Sequence, residues 1–263
     1  MRSYSTKISL TKNARGIYSL DPTLGCNSGT SEGKAKGCYN DCYAAKISKM
    51  YGYDFNKTVL RSFTNETHKH KIRKQITKIP LPFVRMGTMG DPSENWEHTL
   101  NICRIISDTH QLNLFPQSKK EIVIITKHWK SLTESQLLEL SKYGICINTS
   151  ISALDEYLVD TALCEYERIK PYCKSILRIV SCDFNLANKT GHRLHKIQER
   201  LFKSGAILDT VFRVSRKNKL VLDGVINIKE SKFLGKKCYI SKYNKKTYFG
   251  KCSTCLEMCG VKL

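Results

Sequence analysis

Apolar positions recur along the chain in short runs, and each run is followed by a longer stretch whose apolar residues return with helical spacing. The runs GIYSLD (16–21), PFVRMGT (82–88), EIVIIT (121–126), ICINTSI (145–151), SILRIVS (175–181) and ILDTVFRV (207–214) read as six strands. Helical stretches lie near 42–52, 58–77, 94–110, 133–143, 154–168 and 192–204, with Thr133 before Glu134 and Ser93 before Glu94 as N-terminal caps. A strand–helix alternation of this kind predicts βα units around a parallel sheet. The expected fold class is α/β, a partial (β/α)6 TIM-like barrel. From Lys217 the rhythm stops and lysines accumulate, so the chain is expected to divide into a barrel over 1–216 and a small Cys-rich, metal-binding extension of hairpin and knuckle type over 217–263.

A length of 263 residues suits one substantial core. The opening segment MRSYSTKISLTKNARG has no apolar signal-like region, and no apolar run nears the roughly 18 residues that a membrane span needs. The expectation is a soluble, cytoplasmic protein with no membrane partner. Twelve cysteines without a secretory signal are therefore read as metal ligands or reduced core residues rather than disulfides.

Charge changes the picture more. Forty-four Lys and Arg stand against 23 Asp and Glu, a formal net charge of +21. That excess suits a polyanionic partner, DNA or RNA. The basic residues gather in HKHKIRKQITK (68–78) and in the tail, where Lys232, Lys236, Lys237, Lys242, Lys245, Lys246 and Lys251 interleave with Tyr239, Tyr243 and Tyr248. Lysines beside aromatic rings can follow phosphates while the rings stack on bases.

The cysteines fall into two groups. Cys26 lies just beyond the first expected strand, with eleven residues before Cys38 and three more before Cys42. Glycines at 25, 29, 33 and 37 let this loop fold back so that three thiolates can meet one cluster, and three ligands leave one iron of a cube open to a substrate or cofactor. A structural zinc site with a fourth ligand uses the same residue types. At the other end Cys238, Cys252, Cys255 and Cys259 are separated by thirteen, two and three residues, a four-thiolate metal set that suits zinc or a fully coordinated [4Fe–4S] cluster equally. Cys103, Cys164, Cys146 and Cys182 read as core residues of helices and strands; Cys182 alone, near a strand end, is a candidate hydrogen-atom donor to a pocket.

In a parallel barrel the working residues sit at the C-terminal ends of the strands. Those positions are Asp21 to Cys26, Gly87 to Asp91, Thr126 to His128, Ser150 to Ser152, Ser181 to Asp183 and Arg213 to Ser215. In RMGTMGDPSEN (85–95) the glycines would let a ligand approach the backbone, and Asp91 could accept a hydrogen bond from an ammonium group. His128 and Trp129 read as satisfied loop residues.

The stretch GCYNDCYAAKI, placed after a first strand and before a first helix, resembles the cluster loop of the radical S-adenosylmethionine superfamily, and the chain is most similar to its small phage-type members. Those pair a C…GC-x-x-x-CYA loop with a later R-x-x-x-x-GD segment and a Cys-rich end. The C-x11-C-x3-C spacing is a variant of the superfamily's commonest one, and Tyr43 follows the last Cys where an aromatic usually precedes it. The resemblance implies a catalytic [4Fe–4S] cluster on Cys26, Cys38 and Cys42, with S-adenosylmethionine bound by Tyr43, Gly87, Gly90, Asp91, Thr126, Lys127, Ser150, Ser152 and Arg178. It also implies an electron donor such as a flavodoxin or ferredoxin, and it tips the second Cys group slightly toward iron–sulfur. The expected activity is radical modification of a nucleic acid or nucleotide-type substrate. Two other readings stay open: a radical enzyme acting on a peptide or protein, and a non-enzymatic zinc-dependent nucleic-acid binder.

Overall fold

The structure, a computed structural model, describes residues 2–13, 16–31, 34–35, 37–107, 120–182, 184–203, 208–211, 226–229, 238–241, 248–249 and 259. The fold is mixed α/β, with six α-helices among the described residues and a main sheet whose strands pair mostly in parallel. It comprises two compact units, Met1–Ile147 with Glu167–Ser175, and Asn148–Tyr166 with Ile176–Leu263. The boundary expected at 216/217 lies inside the second unit.

The first unit runs through β1 (Leu10–Lys12), β2 (Tyr18–Leu20), β3 (Thr23–Leu24), β4 (Thr30–Ser31), β5 (Lys34–Ala35), α1 (Tyr43–Met50), β6 (Val59–Leu60), α2 (Glu66–Thr77), β7 (Phe83–Met86), α3 (Trp96–Ser107), β8 (Glu121–Thr126) and α4 (Glu134–Leu140), and ends in β9 (Ile145–Ile151). Its sheet has the order β1-β2-β7-β8-β9. β1 is an antiparallel edge with Leu10 opposite Leu20, while β2, β7 and β8 are parallel, with Ser19 opposite Arg85 and Phe83 to Met86 opposite Glu121 to Ile124. All four residues of β7 are buried, as expected of a parallel strand covered on both faces. Phe83, Val84, Met86, Val123 and Ile124 form the sheet's share of the core, and Leu100, Ile102, Cys103, Leu137 and Leu140 the helices' share. Burying a Leu, Ile, Phe or Met side chain contributes roughly 1.5–3 kcal/mol each, so this apolar set dominates the unit's stability.

The second unit holds the rest of β9, a 3-10 turn at Ala153–Leu158, α5 (Val159–Arg168) up to Tyr166, β10 (Lys174–Ser181) from Ile176, α6 (Lys189–Lys203), β11 (Leu208–Val211), β12 (Ile226–Lys229), β13 (Cys238–Ser241) and β14 (Tyr248–Phe249). Its strand order is β9-β10-β11, with Arg178 to Ser181 parallel to Leu208 to Val211. The tail forms an antiparallel β12-β13-β14 sheet, in keeping with the expected hairpin, and β14 lies against β11. The knuckle residues Cys252 and Cys255 lie outside the described residues.

All six expected strands are present where described, and the local differences have local causes. Residues 58–65 do not continue a helix: Val59 and Leu60 pair antiparallel with Leu24 and Thr23, and α2 starts only after Asn65, whose side chain accepts from the His68 N–H at 2.8 Å. Thr133 caps α4 as expected, in a reciprocal box with Gln136. Ser93 is not a cap. Asp91 accepts from the Ser93 N–H at 3.1 Å, a 3-10 turn spans Pro92–Asn95, and the Ser93 hydroxyl donates instead to the His128 carbonyl at 2.8 Å. The helix expected from 154 starts at Val159, because Asp155 leaves helical geometry with its carboxylate tied to the Ser152 hydroxyl at 2.9 Å.

Candidate functional site

Gly25 starts the cysteine loop in the left-handed region at φ +81°, and an added Cβ would lie 2.0 Å from the Lys57 carbonyl oxygen, so only glycine fits. From there the loop is built, not irregular. The Cys26 N–H donates to the Phe55 carbonyl at 2.8 Å, a 3-10 turn covers Asn27–Gly29, β4 and β5 make a tiny hairpin, and a second 3-10 turn spans Gly37–Asp41. Cys42 is the N-cap of α1, and its carbonyl accepts from the Lys46 N–H at 3.1 Å.

Cys26 and Cys38 are buried and Cys42 is half-buried; all nine cysteines whose side chains are described are free thiols. Cys26 packs with Ala44 and Phe55, and Cys42, Tyr39, Tyr4 and Met89 close over that cluster. Cys38 Sγ lies 4.0 Å from His128 Nε2. Burial pushes the Cys26 thiol far up, and the charges of Asp91, Cys38 and Glu94 push it further. Burial likewise holds Tyr39 up to about 12, helped by Cys26 and Cys42. The Cys26 sulfur thus lies in a low-dielectric neighbourhood that disfavours its thiolate, and a bound cation would reverse that balance.

Among the described residues no group of three or more His, Cys, Asp or Glu side chains closes on a single metal ion. A tetrahedral zinc needs all its donors on one centre at about 2.0–2.3 Å, whereas a cube presents a separate iron to each thiolate. Three soft sulfur donors on one loop, with the His128 imidazole against Cys38, are ligand types that either a cluster or a zinc ion takes.

Asp91 is the hub beneath the loop. Its carboxylate, buried at the end of the β7 segment, accepts from the Ser93 N–H and the Thr126 hydroxyl on Oδ1 (3.1 and 2.6 Å), and from the N–H groups of Lys127 and His128 on Oδ2 (2.7 and 2.8 Å). Four hydrogen bonds fill the lone-pair sites of a carboxylate. The side chain thereby ties the end of β8 to the β7 loop and fixes the backbone of His128. The glycines serve the same close approach. A Cβ at Gly90 would meet the Thr23 carbonyl oxygen at 2.6 Å, and one at Gly87 the Ile125 carbonyl oxygen at 2.2 Å, so neighbouring backbone requires glycine at both positions. Gly25 bridges Gly90 in parallel fashion, with its N–H donating to the Met89 carbonyl at 2.9 Å, which fastens the cysteine loop to the Asp91 segment.

Three more side chains complete this region. Asp21, buried at the end of β2, accepts from the N–H groups of Gly87 and Thr88 at 2.9 and 2.8 Å; burial raises its carboxyl, an effect opposed by those bonds and by Arg85 and Arg61. Glu94, only 2 % exposed, pairs with Lys130 at 2.7 Å and accepts from the Ser28 hydroxyl at 2.5 Å. Tyr43, at the head of α1, donates its hydroxyl to the Thr88 carbonyl at 2.6 Å.

The first unit therefore brings together Cys26, Cys38, Cys42, Tyr43, Gly87, Gly90, Asp91, Thr126 and Lys127. In the second unit Ser150 is buried in β9, Ser152 is buried and bound to Asp155, and Arg178 is buried in β10, where Nε donates to the Asn148 side-chain oxygen at 2.5 Å. The Asn148 amide donates to the carbonyl of Cys259, which is buried and adopts φ +62°. Cys182 is buried, and the Gln198 side chain grips its backbone N–H and C=O at 2.7 and 3.1 Å. The side chain of Cys238 lies outside the described residues.

Glu94 and His128 are the neighbours that sequence reading passed over, Glu94 as a mere helix-starting acid and His128 as a satisfied loop residue. An acid just past the Gly-Asp-Pro turn was the available signal for the first; nothing in spacing ties His128 to a cysteine 90 positions earlier. Among the described residues no helix is long and apolar enough to cross a membrane. No known protein family, curated protein or solved structure matches this chain.

Proposed function

We propose that the chain is a radical S-adenosylmethionine enzyme built on a partial (β/α)6 barrel, with a [4Fe–4S] cluster held by Cys26, Cys38 and Cys42. The observation that supports this reading is the placement of three free thiols on one loop, with Cys26 and Cys42 in one packed cluster and the loop fastened through Gly25 and Gly90 to the segment after β7. When bound, the reduced cluster supplies the electron that splits a carbon–sulfur bond of S-adenosylmethionine to give the 5′-deoxyadenosyl radical.

The chain's own part is to hold and to exclude. Phe55, Tyr39, Tyr4 and Met89 keep water from the sulfurs, which strengthens electrostatic interactions there. Asp21 and Asp91 hold the Gly87–Asp91 segment, and with it Thr126 and Lys127, in fixed register, and in this reading they position those residues for the cofactor. Tyr43 links the helix that starts at Cys42 to the same segment. Cys238, Cys252, Cys255 and Cys259 hold a second cluster or zinc, and an electron donor of the flavodoxin or ferredoxin kind delivers the electron. The +21 charge favours a nucleic acid or nucleotide-bearing substrate.

Anaerobic reconstitution with iron and sulfide, followed by metal analysis and incubation with S-adenosylmethionine and dithionite, tests the reading. Cluster uptake with release of 5′-deoxyadenosine is the expected result. Stoichiometric zinc without iron would overturn it in favour of the zinc-dependent binder, and modification of a co-purified peptide would move the substrate from nucleic acid to protein.

A further inference from the structure

Among the described residues seven large hydrophobic side chains stand exposed, and four of them, Tyr43, Ile47, Met50 and Tyr51, fall within nine consecutive positions on α1 and its C-cap. Their exposures are 47, 38, 69 and 60 %. At 100° per residue Tyr43, Ile47, Met50 and Tyr51 occur at i, i+4, i+7 and i+8, which is one continuous stripe along the helix. The flank beside Tyr51 holds buried Ala44 and Ser48, so the helix is anchored along that edge by small residues while its large ones face water. Ser48 is further fixed through the Tyr4 hydroxyl and through its own bond to the Ala44 carbonyl at 2.7 Å. A rigid helix that turns its bulky side chains outward marks a contact surface, since scattered exposure would not concentrate them in two turns.

The residues around the stripe say what covers it. Lys46 and Lys49, both exposed, border it on one side, and α1 carries no acidic residue. Protein-binding surfaces favour Tyr and Met but are poor in Lys. Tyrosine and methionine flanked by lysines offer faces for bases and charges for phosphates together. The net charge of +21 is complementary to that polyanion.

We propose that the solvent face of α1 is a docking platform for single-stranded nucleic acid, with Tyr51 and Met50 packing against unpaired bases and Lys46 and Lys49 following the phosphates. This deepens, and rests on, the nucleic-acid side of the proposed function. Because Cys42 caps the N-terminus of α1, a strand lying on the helix passes beside the cysteine loop, and the platform presents substrate to that loop without adding a residue to the chemistry.

The test is fluorescence anisotropy of a labelled single-stranded oligo-dT and of an oligo-U with the full chain, over a salt series, against a matched duplex and a polyglutamate peptide. The variants are Tyr51→Ala with Met50→Ala, and Lys46→Glu with Lys49→Glu, all exposed positions; circular dichroism and the thermal midpoint verify that each still folds. Loss of stacking should weaken single-strand binding about tenfold or more, within the range for one or two bases. The charge reversals should flatten the dependence of log affinity on log salt by about one or more. Unchanged affinity in both variants overturns the proposal, because binding then lies elsewhere, for instance on the lysine-rich tail. Tighter binding of polyglutamate than of either oligonucleotide overturns it in favour of an acidic protein partner. Iron and sulfide content decides the cluster reading separately: a cluster-bearing chain whose α1 variants bind normally defeats only the platform, while a zinc-loaded chain whose α1 variants lose the oligonucleotide defeats only the radical reading.

Discussion

Replacing Asp91 by Asn tests the central fastening of the site. The carboxylate accepts four hydrogen bonds, three from backbone N–H groups and one from the Thr126 hydroxyl, all from groups at the turn and the end of β8. Asn is nearly isosteric but keeps one oxygen; with its NH2 on the side of Ser93 and Thr126, the Thr126 hydroxyl can turn to accept from it, but the Ser93 N–H is left without an acceptor. A donor left without an acceptor in a buried site costs about 1–3 kcal/mol, so the expected loss is about 2 kcal/mol, a sizeable part of the roughly 5–15 kcal/mol that holds a domain together. The companion Thr126→Val removes a single hydroxyl donor and should cost only about 1 kcal/mol. Urea unfolding followed by fluorescence reads both, with Trp96 and Trp129 in contact at 5.3 Å as native reporters. At slopes of about 1–3 kcal/mol/M the Asn variant should lose about 0.7–2 M in its midpoint. A second readout is chemical: without the Asp91 charge the Cys26 thiol should ionise at lower pH and alkylate faster in the folded protein. An Asn variant within about 0.5 kcal/mol of the parent, with Cys26 as inert as before, would refute the role given to Asp91.

Gly25→Ala and Gly52→Ala both place a side chain at positive φ, but Gly52 has open space whereas the new Cβ at Gly25 strikes the Lys57 carbonyl; the Gly25 change should therefore cost at least about 1 kcal/mol more in the same unfolding assay, and equal costs would dismiss the close approach. For Asp21 the folded carboxyl is raised above its ordinary value, so the native state holds the proton more tightly than the unfolded chain; stability should rise as pH falls through the window between the two values, at no more than about 1.4 kcal/mol per pH unit, and Asp21→Asn should abolish that slope in pH-dependent melts. In timed alkylation at pH 8 read by mass spectrometry, exposed Cys164 should react first, while Cys103 and Cys173, the latter pushed up to about 12 by burial, should stay unmodified until the protein unfolds; early labelling of Cys103 would contradict its burial.

The strands were legible because each is an apolar run bounded by polar turns, and the capping box at Thr133 because it uses local residue types. The helix expected to start at 58 failed for a tertiary reason. Val59 and Leu60 find strand partners in Thr23 and Leu24, which lie far away in sequence and whose pairing no helical periodicity can reveal. The internal hydrogen bonds of Asp91 were not legible, since an acid after two glycines gives no sign of the N–H groups at a strand end 35 residues on.

By itself, then, the sequence determined the order and type of the elements, the grouping of Cys26, Cys38 and Cys42 on one loop, and the basic character of the whole, because periodicity, spacing and charge are properties of neighbours along the chain. Only the tertiary structure decided that Gly25 and Gly90 bring two loops into backbone contact, that Asp21 and Asp91 spend their acceptors holding those loops, that His128 stands against Cys38, and that α1 turns Tyr43, Ile47, Met50 and Tyr51 to solvent. Each of these follows from satisfying buried donors and filling space between segments that meet only when the parallel strands align their C-terminal ends.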